Sequence, residues 1–245
     1  MQAVLSGLEW RSCFVYLDDI LIASRTLDEH LRHIREVFGR LRKAGLRLKP
    51  KKCLLLREEV PYLGHVVSAH GIRPDPAKTE KMKSFPTPCD VTTVRQFIGL
   101  ASYYRRFVPG FAKIAAPLHA LTKKDVPFNW TVECEVAFCK LKELLVTAPV
   151  LAYPRFGPEG EFILETDASG IGLGAVLSQK QDDGLVHPIA YASRSLDPHE
   201  KNYGISELET LGLVWAVRYF RPYLLALLRH LWGSVLQCDR VDDMA

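Results

Sequence analysis

The chain has 245 residues, 48% hydrophobic and 24% charged, a composition that suits one large globular domain or two small ones and excludes wholesale disorder. No apolar run approaches the roughly 18–20 residues that span a bilayer, and Met1-Gln2-Ala3-Val4-Leu5 lacks the basic and long apolar parts of a signal peptide. Six cysteines without a Cys-x-x-Cys pair argue against a disulfide scaffold and a zinc site, so the expected location is intracellular, cytoplasmic or nuclear. The net charge of +4 hides a gradient. Residues 1–124 carry 22 Lys and Arg against 11 Asp and Glu, whereas residues 125–245 carry 10 against 17. The basic excess peaks at Arg40, Arg42, Lys43, Arg47, Lys49, Lys51, Lys52 and Arg57, a density that attracts polyanions but also fits a solvated helix face.

In chain order, Cys13–Leu17 and Ile20–Ala23 read as two β-prone runs joined by a two-residue turn at Asp18-Asp19. Thr26, three residues before Glu29, signals a helix start, and Leu27, Leu31, Ile34, Phe38 and Leu41 keep helical spacing up to a left-handed cap at Gly45. A basic strand is expected around Leu46–Lys49. Val60–Ser68 reads as a strand with a glycine kink, and Asp75-Pro76 opens a short helix. The stretch Phe85–Asp90 reads as a linker. Three helices follow, from about Thr92, over Phe111–Thr122 and over Val132–Val146. The pattern then changes to a meander. Phe162–Asp167, Ala175–Leu177 and Val186–Ser193 read as strands, and Ser206–Phe220 as an amphipathic helix. Gly170, Gly172 and Gly174 precede a strand, not a helix, so they suit tight turning and not phosphate binding.

Several side chains suggest chemistry. Two adjacent acids at an apolar hairpin repel each other, and a divalent cation relieves that cost, although Asp is also an ordinary turn residue. Asp167 ends an apolar strand, and Glu209 lies on the helix after the meander, oriented toward the sheet by its apolar neighbours at 208 and 211. Two such acids suit shared divalent ions at a phosphodiester. Glu207 reads as a surface acid. His30 and His33, one helical turn apart without an accompanying carboxylate motif, read as a solvated face. Tyr103-Tyr104 beside Arg105-Arg106 mixes aromatic and cationic groups.

The segment FVYLDDILIAS (Phe14–Ser24) resembles the palm hairpin of reverse transcriptases from gypsy-like long-terminal-repeat retrotransposons. The similarity continues in that family's order through YLGHVVSAHGIRPDPAK (62–78), VRQFIGLASYYRRFVPGFAKIAAPLHALTKK (94–124), FNW (128–130), AFCKLKELL and APVLAYP. It ends with ETDASGIGLGAVLSQ (165–179) and HPIAYASRSLDPHEKNYGISELETLGLVWAVRYFRPYL (187–224). The resemblance implies an α+β, multi-part fold. Residues 1–74 would be a partial palm with its primer-grip segment and 75–154 a helical thumb and connection. Residues 155–224 would be a truncated ribonuclease H-like α/β domain, and 225–245 a non-matching tail. It implies RNA-directed DNA polymerase and RNA–DNA hybrid ribonuclease chemistry with Mg²⁺, or Mn²⁺, held by Asp18, Asp19, Asp167 and Glu209. Lys49, Lys51, Lys52, Arg105 and Arg106 would touch an RNA–DNA hybrid or template–primer duplex. No membrane partner and no particular oligomeric state are implied.

The family's fingers and its first palm Asp would precede Phe14, and a further nuclease acid would follow Leu224, where Asp239 is the candidate substitute. The expectation is therefore a fragment without primer extension of its own and with weakened nuclease activity. The rival expectations are a non-catalytic nucleic-acid-binding remnant and a pseudogene product without a stable fold.

Overall fold

The structure is a computed structural model that describes residues 1–9, 11–157 and 160–226. Blocks of helices and of antiparallel strands alternate along the chain, the α+β organisation expected from the sequence. The chain divides into two units, Met1–Leu63 and the part from Gly64 onward.

In the first unit, β1 (Cys13–Tyr16) pairs antiparallel with β2 (Asp19–Ile22), and the register sets Tyr16 opposite Asp19. The turn is therefore Leu17-Asp18, one residue earlier than expected. Leu17 carries it at φ 52°, a left-handed conformation that non-glycine residues rarely adopt. Helix α1 (Leu27–Lys43) begins as anticipated. Thr26 Oγ1 accepts a bond from the Glu29 amide, and Glu29 Oε2 accepts from the Arg25 amide at 2.9 Å. It ends in a Schellman pattern, with the Leu46 amide donating to Leu41 O and Gly45 at φ 71°. Val37 and Leu41 meet Leu5, Leu8 and Cys13 in a small core, with Val15, Ile20, Ile22 and Phe38 packed beside it. Residues 46–49 form no strand. Leu46 and Leu48 stay exposed, and Pro50 turns the chain into a 3-10 turn over Pro50–Lys52. The expected 60–68 strand is divided at Leu63 and Gly64, both with positive φ, into β3 (Glu59–Tyr62) and β4 (His65–Ser68).

The second unit opens with β4 paired antiparallel to β5 (Gly71–Pro74). Asp75 caps α2 (Pro76–Lys83), with Pro76 at its first position, and Asp90 caps α3 (Val91–Tyr103) through the Thr93 amide at 2.6 Å. With α4 (Phe111–Ala120) and α5 (Val132–Val146), these helices enclose a core built on Phe97, Phe107, Phe111, Phe138, Leu118 and Leu141, each at most 2% exposed. His65 packs against Tyr103, Tyr104 and Phe107, with ring centroids 5.4–5.6 Å apart. The Tyr104 hydroxyl donates to Gly64 O at 2.7 Å, and burial together with nearby Tyr103 and Asp75 pushes it up to about 12.

The meander is β6 (Phe162–Ala168), β7 (Gly172–Lys180) and β8 (Val186–Ser195), all antiparallel. One face carries Leu173, Ala175, Leu177, Ala190 and Ala192 and is covered by α6 (Ile205–Tyr219) through Leu208, Gly212 and Ala216, with Phe220 just beyond the helix. The opposite face meets the helical bundle. Ala112 in the first turn of α4 donates its amide to Ser193 Oγ at 2.9 Å, and Arg105 donates to the Ser193 carbonyl. Gly110, the N-cap of α4, has no side chain to do this, so β8 supplies the cap from 81 residues away. Gln179 is fully buried. Its amide group exchanges two hydrogen bonds with the backbone of Arg155, as a strand neighbour would.

The entry to α6 is fixed by charge. Arg194 donates to both Glu200 carboxylate oxygens, at 2.6 and 2.8 Å, while lying over the Trp215 ring at 5.8 Å. Those bonds, and one from the Asp197 amide, lower Glu200 from its ordinary 4.5 to about 2.

Gly71 holds φ 137°, and a Cβ there would sit 2.2 Å from Leu151 O, whereas Gly99 lies inside α3 with nothing within 4 Å. Gly71→Ala should destabilise the second unit by about 2–4 kcal/mol. Gly99→Ala should stabilise it by about 0.5–1 kcal/mol, both read by urea denaturation. Because Glu200 is lowered in the folded chain, its contribution is full above pH 4.5 and is lost as pH falls toward about 2. Glu200→Gln should reduce stability at pH 7 and flatten the acid limb of a Tm-versus-pH curve.

Candidate functional site

The first candidate acids stand at the tip of β1–β2. The buried side of this hairpin, with Cys13, Val15, Ile20 and Ile22, is pinned to α1, which leaves Tyr16, Leu17, Asp18 and Asp19 on the solvent side. Leu17 is 74% exposed, so the tip is not there to fill a core. Asp19 faces Tyr16 across the pair and acts on Tyr62, whose phenol is raised by burial first and by the Asp19 charge second. Tyr62 is thus a neighbour of the acidic tip that pattern reading did not single out.

The basic residues of this unit lie after α1. Arg40, Arg42 and Lys43 occupy its last turn, where cations complement the helix dipole, and Arg40 donates to Ser6 O. Lys49, Lys51 and Lys52 are all exposed around the 3-10 turn. Nearby, Phe38, Leu41, Arg42, Gly45, Leu46, Arg47 and Leu48 line a depression of about 420 Å³. His30 and His33 do not form a solvated face: both Nδ1 atoms lie against Ser24 Oγ, at 3.3 and 2.8 Å, and tie the exit of β2 to α1.

The second pair of acids belongs to the meander and its helix. Asp167 is the penultimate residue of β6, opposite Gly174, and is exposed. Its pleat is shared with Ile163 and Glu165, while Ala168 turns to α6, where it lies 3.7 Å from the Cβ position of Gly212. Glu209 sits one turn before Gly212 and is exposed. Leu208, not Glu209, is the residue turned into the sheet. The end of β6 and the second turn of α6 are therefore held together, with Asp167 and Glu209 flanking that contact in solvent. Glu207 serves the helix itself, since its Oε2 accepts the Gly204 amide at 2.7 Å and caps α6.

Within the described residues, the side chains of Asp18, Asp167 and Glu209 make no hydrogen bond or ion pair, in contrast to those of the capping and bridging acids Asp75, Asp90, Glu200 and Glu207. No three His, Cys, Asp or Glu side chains converge as a metal cage among the described residues. Two carboxylates with water and phosphate oxygens suffice for Mg²⁺, so each acid pair fits that ion chemically. Asp239 lies outside the described residues. Arg105 and Arg106 are half-buried: Arg105 is bound to Ser193 and stacked over Phe111, and Arg106 reaches the Tyr223 hydroxyl at 3.5 Å.

Residues 1–67 match the family model described as reverse transcriptase (RNA-dependent DNA polymerase), and residues 130–230 match that of the RNase H-like domain found in reverse transcriptase. The chain is 44% identical over 226 residues to the retrovirus-related Pol polyprotein from transposon 297 and 39% identical over 224 to that from transposon 412, both of Drosophila melanogaster. It is 35% identical over 209 residues to the transposon Tf2-3 polyprotein of Schizosaccharomyces pombe. These alignments take in 92%, 91% and 85% of this chain but only 21%, 18% and 16% of the relatives, so the chain spans about a fifth of their length. Among solved structures, the foamy viral protease–reverse transcriptase dRH in complex with double-stranded DNA is similar over 92% of this chain and 39% of its own, at TM-score 0.78 and 27% identity. The same enzyme in complex with RNA/DNA hybrid is similar at TM-score 0.76 and 25% identity, over 92% of this chain and 30% of its own. With reverse transcriptase sequence around the acidic hairpin and RNase H-like sequence around the meander, the chain carries parts of both domains and is similar over most of its length to the Pol polyproteins of retrotransposons.

Proposed function

We propose that the chain is a palm-to-nuclease segment of a retrotransposon reverse transcriptase that binds an RNA–DNA hybrid or template–primer duplex and serves Mg²⁺-dependent phosphodiester chemistry. The observation that carries this reading is the joining of the end of β6 to α6, which keeps two uncommitted acids, Asp167 and Glu209, beside one contact. Those two side chains would hold Mg²⁺, or Mn²⁺, for hybrid cleavage, and Asp18 with Asp19 would do so for nucleotide addition. The ion supplies an acidified water and charge neutralisation at the leaving oxygen. The protein's own part is to keep the carboxylates apart from other partners and exposed to a phosphate backbone.

Lys49, Lys51 and Lys52 are proposed as the phosphate contacts, because they are exposed and close together. Arg105 and Arg106 are already engaged within the second unit, which makes them secondary contacts. In this reading residues 1–74 act as palm, 75–154 as thumb and connection, and 155–224 as the nuclease-like part. No helix among the described residues is long and apolar enough to cross a membrane, and we place the working protein inside the cell, in cytoplasm or nucleus. A second reading, binding without cleavage, draws support from the absence of a three-acid cluster among the described residues.

A labelled RNA–DNA hybrid incubated with the full chain and Mg²⁺ distinguishes the two. Binding should weaken steeply with salt, and replacing Lys49, Lys51 and Lys52 by Gln should reduce the salt slope by about 1 for each phosphate no longer neutralised. Cleavage that Asp167→Asn lowers by ~100-fold or more, with binding kept, supports the enzyme reading. Salt-sensitive binding without cleavage supports the second reading, and absence of binding at low salt refutes both.

A further inference from the structure

The glycines of the meander and its helix differ in what they do for the fold. A Cβ at Gly172 would stand 2.5 Å from Arg194 O, so the chain leaves no room for another residue there. Gly212 sets the distance between α6 and the sheet. Gly174 has neither duty. A Cβ there would meet only Asp167, its O at 3.7 Å and its Cβ at 4.0 Å, which is ordinary van der Waals contact. The backbone is equally undemanding. Gly174 lies inside β7, paired with Asp167 on one side and Ser193 on the other, and it is not among the glycines with positive φ. Within a strand glycine loses more entropy on folding than other residues and packs against nothing, whereas a β-branched residue suits the pleated surface. A glycine kept at such a position often marks the close approach of a ligand or another backbone.

The missing side chain leaves a gap with defined walls. Residues directly opposite each other on adjacent strands project from one face of the sheet, so Gly174 lies between the side chains of Asp167 and Ser193. The Ser193 side is closed, because Ser193 is buried and its hydroxyl accepts the Ala112 amide at the start of α4. The Asp167 side is open. Asp167 is exposed, and Gly174 itself is only half-buried. An ordinary strand side chain at 174 would stand beside the Asp167 carboxylate and narrow the way to it. We infer that Gly174 is a specificity-determining residue of the proposed nuclease site: its bare backbone is where the sugar–phosphate strand to be cut comes down beside Asp167. The inference rests on the reading of Asp167 as an acid of hybrid cleavage. It also separates two ligands by size. A small hydrated ion reaches an exposed carboxylate past a neighbouring side chain, whereas a nucleic-acid strand does not.

A labelled RNA–DNA hybrid titrated with the full chain carrying Asp167→Asn, so that cleavage does not consume the probe, gives the parent affinity. Adding Gly174→Ala should weaken binding ~3-fold and Gly174→Val at least ~10-fold, with the slope of log K against log salt unchanged because no cation is removed. With Asp167 intact, both glycine variants should match or exceed the wild-type Tm, and Mn²⁺ should still broaden the Asp167 amide signal as it does in the wild-type chain. Absence of hybrid binding by the parent would remove the proposed function and this inference with it. Parent binding that is indifferent to both substitutions would overturn the inference alone. A loss of Tm or of Mn²⁺ broadening in both variants, in step with the lost affinity, would also overturn it, since the glycine would then serve the fold.

Discussion

The close approach of α6 to the meander is the constraint on which the proposed site depends. It is set by small residues: Gly212 lies 3.7 Å, measured from its Cβ position, from both Ala168 and Leu173, and Ala216 meets Ala175 and Ala192 further along. A larger residue at 212 would lift the helix from the end of β6 and carry Glu209 away from Asp167. The helix start is fixed as firmly as its body. Arg194 clamps Glu200 in the loop before it, and Glu207 closes the first turn on Gly204. The acids themselves carry none of this load, which is what leaves them available to a ligand.

The other face of the same sheet explains why the helical bundle and the meander behave as parts of one unit. Ser193 commits its hydroxyl to α4 and its carbonyl to Arg105, and Tyr191 packs against the bundle core. Leu151 adds a backbone bridge to Ile72, and the Ala152 amide donates to Pro188 O, so the segment between helices and meander runs from the β4–β5 hairpin to β8. The arginines that resemble thumb-surface cations therefore have structural work within the fold. Exposed lysines after α1 are better placed to meet a polyanion.

Local features were legible in the sequence because their causes are local. Thr26 and Asp75 cap the helices they precede, Gly45 ends α1 in the left-handed region, and the meander and α6 fall where alternation and helical spacing place them. The errors have equally physical origins. Asp is the commoner turn residue, so a turn carried by Leu17 at positive φ is invisible to composition. Leu46-Arg47-Leu48-Lys49 alternates like a strand, yet a strand requires a partner, and none among the described residues is paired to it. The contacts that locate the site were out of reach, since Ser193 with Ala112 and Gln179 with Arg155 join positions 81 and 24 residues apart. Resemblance singles out Asp167 and Glu209, but that Leu208 takes the sheet and Glu209 the flank depends on the packed helix.

The most direct test of the central claim uses Mn²⁺ as a paramagnetic substitute, titrated into the isotope-labelled chain and followed by amide NMR. Signals around Asp167, Gly174 and Glu209 should broaden selectively, an effect abolished in an Asp167→Asn variant and reversed by excess Mg²⁺. Broadening spread over unrelated surface acids, or unchanged by that substitution, would contradict it.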